Sequence, residues 1–247
     1  GGAEALMRKQ PWQAPYEGEE ATGASVLGLW TFPKAEPTQD GSGNGHRLAL
    51  RGGSRFVEGG RFGGTCLEVF RVDSKTKDEP EGAAAANAPE LNPEGAFTID
   101  MWIKPKPEFA EDNLGFLVDK KYFHYNKDIP RANMGYCLYR RKTRGAWRMH
   151  AFLGFGTDSA GLVSQDLEIE PGNWYHVAFT YDGEGRGDFY LNGVPVGGHT
   201  LAGRGPVTPS NYPFVIGCRL GSVYDSFVGY IDQVRISNKV IELKPAE

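Results

Sequence analysis

Apolar and polar positions alternate in short runs along most of the chain, and no stretch keeps a helical period over three turns. The sharpest case is "AFTIDMWIKP" (96–105). Phe97, Ile99, Met101 and Ile103 fall on one face, Thr98, Asp100 and Trp102 on the other, and Pro105 closes the run. "SVLGLWTF" (25–32), "RLAL" (47–50), "SRFV" (54–57) and "TCLEVF" (65–70) precede it, separated by glycine-rich turns. "GFLVDKKY" (115–122), "GYCLYRR" (135–141), "WRMHAFLGFG" (147–156), "LVSQDLEIE" (162–170), "PFVIGCRL" (213–220) and "FVGYIDQVRIS" (227–237) continue the series. Within "NWYHVAFTYDGEGRGDFYLNGVPVGG" (173–198), Asn192–Gly193 sits between two extended runs and predicts a type I′ hairpin, whose two central residues both take positive φ. About a dozen short, mainly antiparallel strands predict two packed sheets in one all-β domain.

Two segments break the pattern. Residues 1–24 are polar, with Pro11, Pro15 and several glutamates, and predict an N-terminal arm ahead of a domain spanning 25–247. Residues 71–95 predict a long surface loop, in which Pro80, Pro89 and Pro93 leave "AAAAN" room for no more than a helical turn.

Composition narrows the classes of function. The 34 glycines in 247 residues exceed the usual ~7% share, as expected where many tight turns join short strands. A formal net charge of −4 argues against nucleic-acid or acidic-membrane binding, which needs a positive field. No apolar run reaches the ~18 residues of a membrane span. Cys66, Cys137 and Cys218 are too few for a disulfide framework, and the odd number leaves at least one free. Cys66 and Cys218 lie in apolar surroundings and are expected as small buried side chains, while one disulfide stays compatible with the sequence.

Taken in order, "LGLWTF", "DGSGNGHRLAL", "FGGTCLEV", "GAFTIDMWIKP", "GNWYHVAFTYDG", "DFYLNG" and "FVGYIDQVRIS" resemble the laminin G-like, pentraxin-like modules of the concanavalin A-like lectin/glucanase superfamily, from about Ser25 to Ile241. The resemblance implies a jelly-roll sandwich of two curved antiparallel sheets. It also implies a secreted or cell-envelope protein, its signal or anchor lying outside these residues, that binds a glycan or another extracellular polymer, often with calcium. The 71–95 and 122–134 stretches look longer than the family pattern.

Candidate chemistry starts with "QDGSGNGHRL" (39–48). It lacks a P-loop lysine and runs into a strand, which excludes a phosphate cradle. Asp40 and Asn44 offer side-chain oxygens of the type calcium takes, and glycines let backbone carbonyls turn inward. The family resemblance places the last strand beside this loop and so adds Asp232 as a third ligand of a structural calcium. The competing reading is a plain Asx-type turn, with Asp232 satisfied by backbone amides.

A second candidate is the basic hairpin "YCLYRRKTRGAWRMHAF" (136–152), where arginines and aromatics interleave. Tyr136, Arg140, Trp147, Arg148 and His150 form the expected ligand face, Arg148 and His150 sharing a strand face with Phe152. Arginine forks sulfate or carboxylate, and an aromatic ring stacks on a sugar. A solvated hairpin tip explains the same charges without a ligand. Tyr122, Phe123 and Tyr125 add a possible stacking rim, whereas Trp30, Phe97, Trp174, Phe179 and Phe214 are assigned to the core. His176 is assigned to a sheet face rather than to base catalysis.

Asp166, Glu168 and Glu170 place three carboxylates on one strand face, as in glycosidases that pair two of them. Glucanases of the superfamily carry Glu-x-Asp-x-x-Glu instead, and the stripe is equally the wet face opposite Leu167 and Ile169. No Gly-x-Ser-x-Gly elbow or His-x-x-x-His pair is present. The expected function is therefore a non-catalytic carbohydrate-binding or adhesion module. A glycoside hydrolase or lyase, and a spacer domain without a small ligand, are the alternatives.

Overall fold

A computed structural model describes residues 9–72, 80–110, 114–122, 129–221 and 225–247. Among them lie fifteen strands. The first five are β1 (Val26–Trp30), β2 (Leu48–Leu50), β3 (Arg55–Glu58), β4 (Thr65–Val69) and β5 (Ala83–Ala85). The next five are β6 (Phe97–Pro105), β7 (Leu114–Asp119), β8 (Tyr136–Thr143), β9 (Ala146–Gly154) and β10 (Ser159–Val163). β11 (Tyr175–Tyr181), β12 (Arg186–Leu191), β13 (Val194–Thr200), β14 (Phe214–Ile216) and β15 (Gly229–Ser237) complete the set.

They form two antiparallel sheets. The first runs β13-β12-β11-β6-β15-β4-β3, with β1 also paired to β15; the second runs β10-β9-β8-β7-β14-β5-β2. The alternation read in residues 96–105 is what lets them face each other. Phe97, Ile99, Met101 and Ile103 of β6 join Phe179, Phe214 and Trp30 in the core between the sheets. Trp30 stacks on Phe214 with ring centroids 5.0 Å apart. The predicted hairpin is present between β12 and β13, with φ of 50° at Asn192 and 74° at Gly193.

Three elements depart from the sequence expectation. The alanines at 83–85 are not a helical turn but a strand paired on both sides, by β2 and β14, with Ala83 and Ala85 fully buried. Their small side chains fit a tight interior row, and strand pairing outweighs alanine's local helix preference. The 162–170 run stops being a strand after Val163, leaving only a bridge between Trp147 and Leu167. The third is the N-terminal arm. From Gln10 onward it lies on the outer face of the first sheet, where Trp12, Tyr16 and Ala21 are buried with Trp102, Ala178, Leu29, Val26 and Leu243 in a second, smaller core.

Candidate functional site

Antiparallel register decides which members of the basic hairpin share a face. β8 and β9 pair Tyr136 with Leu153, Leu138 with Ala151, Arg140 with Met149 and Lys142 with Trp147. Leu138, Met149, Ala151 and Leu153 belong to the core, so the same face turns Tyr136, Arg140 and Trp147 inward. Tyr136 is buried and donates its hydroxyl to the Leu91 carbonyl at 2.7 Å. Arg140 is buried too, its guanidinium 3.9 Å from the Trp147 ring centroid. The single five-residue ligand face is thereby corrected, because alternation sends three of its members to the interior. Arg148 and His150 remain outside. Arg148 is ion-paired with Asp166 at 2.6 Å, and His150 stacks on Tyr139 at 5.0 Å. Burial, with the charges of Arg141 and Arg148, lowers the His150 pKa to about 4, so its ring is neutral at pH 7. Tyr122 stacks on Tyr212 at 6.0 Å; Phe123 and Tyr125 lie outside the described residues.

The glycine loop closes around one carboxylate. Asp40 Oδ1 accepts from the Leu29 amide at 3.0 Å and from the Ser42 amide and hydroxyl at 2.9 and 2.7 Å. Its Oδ2 accepts from the His46 amide at 3.0 Å. The Asn44 amide nitrogen donates to the carbonyls of Val26 and Leu27, which ties the loop to β1. Asp232, in β15, serves a different loop. Its Oδ2 accepts from the Arg61 amide at 2.8 Å and its Oδ1 from the Gln233 amide at 2.8 Å. Burial raises its pKa to about 7 against those donors. A calcium cage needs inward-facing oxygens with free lone pairs. Here N–H and O–H donors occupy the space around Asp40, and among the described residues no group of three or more His, Cys, Asp or Glu is arranged to hold a metal. These residues do not fit calcium; they fit a carboxylate that stitches a loop to the first strand. Asp40→Ala should lower stability by roughly 3 kcal/mol, since buried amides lose their acceptor. The melting-temperature loss should be the same in EDTA and in millimolar calcium; a loss confined to the calcium sample would restore the metal.

The outer face of the first sheet carries the densest polar network. Alternation and register bring Asp100 and Trp102 of β6, His176 of β11, and Asp232 and Arg235 of β15 onto it. A bulge at Asp232–Arg235, with Gln233 at φ 52°, keeps both of those β15 side chains on the same side. Asp100 is fully buried and accepts from Arg235 Nε at 2.9 Å, from the Tyr16 hydroxyl, and from His176, whose Nε2 lies 3.0 Å away. Burial alone would raise the Asp100 pKa, but the Arg235 charge and the His176 and Tyr16 hydrogen bonds bring it down to about 2. The Arg235 guanidinium also lies 3.6 Å from the Tyr16 ring centroid and donates to the Glu20 carbonyl. The sequence placed Asp100 and Trp102 on the face away from the core. It did not show that Trp12 and Tyr16 fold back to cover them. Two large aromatics in an otherwise polar arm were the available signal.

Beside this network the arm leaves a shallow open depression, lined by Trp12, Gln13, Arg61, Trp102, Trp174 and Asn192. Trp12 and Trp102 are tilted against each other at 5.7 Å, and Trp12 stacks on His176 at 4.9 Å. Their indole nitrogens are committed, Trp12 to the Lys244 carbonyl and Trp102 to the Trp12 carbonyl. The Arg61 guanidinium lies 4.2 Å from the Trp102 ring centroid. Trp174, assigned to the core from sequence, is half-buried at this rim instead, because it precedes β11 and packs on the outer cluster. Asp166, Glu168 and Glu170 stand exposed elsewhere and line none of the depressions described here.

Comparison with known proteins follows the geometry. A family model of laminin G type, described as the concanavalin A-like lectin/glucanases superfamily, matches residues 78–245. Among curated proteins no sequence match is found. Solved structures share the fold at low identity. Domain 4 of AbnA, a GH43 extracellular arabinanase from Geobacillus stearothermophilus in complex with arabinotriose, superposes with a TM-score of 0.57 at 17% identity, covering 86% of this chain and 92% of that one. The botulinum neurotoxin serotype D ligand-binding domain in complex with N-acetylneuraminic acid gives 0.62 at 13% identity, covering 88% and 48%. A botulinum neurotoxin type C structure, described as entering cells through two ganglioside molecules, gives 0.62 at 13%, again covering 88% and 48%. The chain thus spans about half the length of the toxin domains and nearly all of the arabinanase domain.

Proposed function

We propose that this chain, which belongs to the laminin G-type branch of the concanavalin A-like lectin/glucanase superfamily, is a carbohydrate-binding module without catalytic activity. The observation that carries the reading is the open depression on the outer face of the first sheet, where the half-buried Trp174 ring stands beside the buried Trp12 and Trp102. Sugar rings present apolar C–H faces ringed by hydroxyls, and a partly exposed indole edged by amides and a guanidinium matches both parts. The arabinanase domain bound to arabinotriose supports the reading, since it shares this fold over nearly its whole length. A secreted or cell-envelope setting goes with that ligand class. Against hydrolysis stands the placement of the exposed carboxylates: Asp166 is ion-paired with Arg148, and neither it nor Glu168 and Glu170 faces a described depression. Fold alone confers no chemistry.

Isothermal titration with a panel of short oligosaccharides tests the proposal. Binding should be seen for part of the panel and should weaken at least tenfold in Trp174→Ala, about the loss of one stacked ring. Release of reducing ends during the titration, or unchanged affinity in Trp174→Ala, would remove this site from the function.

A further inference from the structure

The depression is lined by donors without matching acceptors. Asn192 Oδ1 accepts from the His176 amide at 2.8 Å, and Gln13 Oε1 accepts from the Gln10 amide at 2.7 Å. Each carboxamide therefore has its oxygen committed, which fixes its nitrogen as a donor, and neither nitrogen has an acceptor among the described residues. Among the described residues the Arg61 guanidinium makes no hydrogen bond or ion pair; it packs on the faces of Trp102 and of Phe62, at 4.2 and 4.8 Å. No carboxylate lines the depression. Asp232, the acid nearest in the fold, is fully buried and already accepts from the Arg61 backbone amide.

A second cation extends the same surface. Lys104 lies two residues beyond Trp102 on the same face of β6, about 7 Å along the strand. Its ammonium sits 5.2 Å from the Trp174 ring centroid and 4.7 Å from that of Tyr230, with no carboxylate partner. The neighbouring Lys106 differs in this respect, being paired with Glu68 at 3.1 Å. Arg61 and Lys104 are thus held on aromatic faces without an ion pair among the described residues. Partial burial works against the Arg61 charge, and the buried Asp232 carboxylate offsets that only in part, without pairing with the guanidinium. A neutral sugar would satisfy the donors but bring neither cation a partner.

Deepening the reading of a glycan-binding module, and resting on it, we propose that this depression takes an anionic oligosaccharide, its carboxylate or sulfate bound by Arg61 and Lys104 while a sugar ring packs against Trp174. Guanidinium meets either anion through two parallel N–H···O bonds, and the carboxamide nitrogens of Gln13 and Asn192 supply further donors to ring hydroxyls. The basic hairpin, which the sequence favoured for the same chemistry, contributes none of these residues. The cations come from the β3–β4 turn and from β6.

The test titrates the full chain with trigalacturonate, with its fully methyl-esterified neutral counterpart, and with a sulfated galactose trisaccharide. Trigalacturonate or the sulfated sugar should bind, the ester at least tenfold more weakly, and raising sodium chloride from about 50 to about 500 mM, which shortens the screening length roughly threefold, should narrow that gap. Arg61→Gln and Lys104→Gln should each weaken the acidic ligand about tenfold and the ester by a clearly smaller factor. Both variants should melt only slightly below the parent protein, by no more than about 4 °C, since each loses cation–π contacts and no ion pair among the described residues. Preference for the uronate over the sulfated sugar, or the reverse, identifies the source of the anion. Equal binding of acid and ester, unmoved by either variant, overturns the anionic inference and leaves the glycan reading standing. Absence of binding to all three, and to the neutral panel, overturns both.

Discussion

Asp100→Ala is expected to lower the melting temperature by roughly 10 °C, because removing one member of a buried ionic cluster costs about 3–5 kcal/mol in a chain of this length. The carboxylate is the only acid among the partners described for Tyr16, His176 and Arg235. Without it Arg235 keeps its charge beneath the arm, with the Glu20 carbonyl as its remaining acceptor. Calorimetry across pH gives a second, independent reading. The folded pKa of Asp100, about 2, lies below its ordinary 3.8. A depressed carboxylate contributes stability that is complete above the unfolded value and is lost as pH falls from about 4 through about 2. Asp119 and Asp232 act in the opposite direction. Burial raises both to about 7, so what they contribute is present below about 4 and is lost as pH rises through about 7. The parent protein should therefore gain stability between pH 2 and 4 and give some of it back toward pH 7. Asp100→Asn should flatten the acid limb and keep the decline toward neutrality. An unchanged acid limb would mean that the cluster does not govern folding.

Trp12→Ala is expected to destabilise the protein by about 3 kcal/mol, the lower end for a buried tryptophan. In urea this should appear as a midpoint lower by about 1 M with an unchanged slope. The ring has three attachments: the tilted contact with Trp102, the stack on His176, and the indole hydrogen bond to the Lys244 carbonyl. Through the last of these it ties the segment before β1 to the segment after β15 across the outer face of the sheet. Trp12→Phe should recover most of the loss, since it restores a ring but not the indole donor. A passive lead-in arm would make both substitutions silent. Because Trp12 also lines the depression, glycan affinity should fall with the alanine variant even at temperatures where it remains folded.

The candidate site was less legible than the fold for a specific reason. A period of two tells which residues share a face of one strand, as with Asp100 and Trp102. It does not tell which strands flank it or which face of a neighbouring strand aligns. For the hairpin at 136–152, Arg148 and His150 were correctly placed together. Tyr136, Arg140 and Trp147 were assigned by sequence proximity, and the register of β8 against β9 turned them inward. Charge misled in the same way. Arginines at 140 and 148 look alike in sequence, yet one stacks inside on Trp147 while the other pairs with Asp166 at the surface. Asp232 and Asp40 were joined by the family likeness of the last strand and the first loop. The bulge at Asp232–Arg235 instead points Asp232 to the Arg61 turn.

By itself the sequence determined the all-β sandwich, most of its strand positions, the Asn192–Gly193 hairpin and most of the core. Each is a local property: alternation, turn chemistry, and the burial that large apolar side chains demand. Tertiary structure alone decided that the alanines at 83–85 form an interior strand, that the arm packs on the outer sheet face, and that Arg61, Lys104 and three tryptophans meet there. The residues of that surface come from four separate stretches of chain. Only the pairing of strands distant in sequence brings them together, and no local pattern records which distant strands will pair.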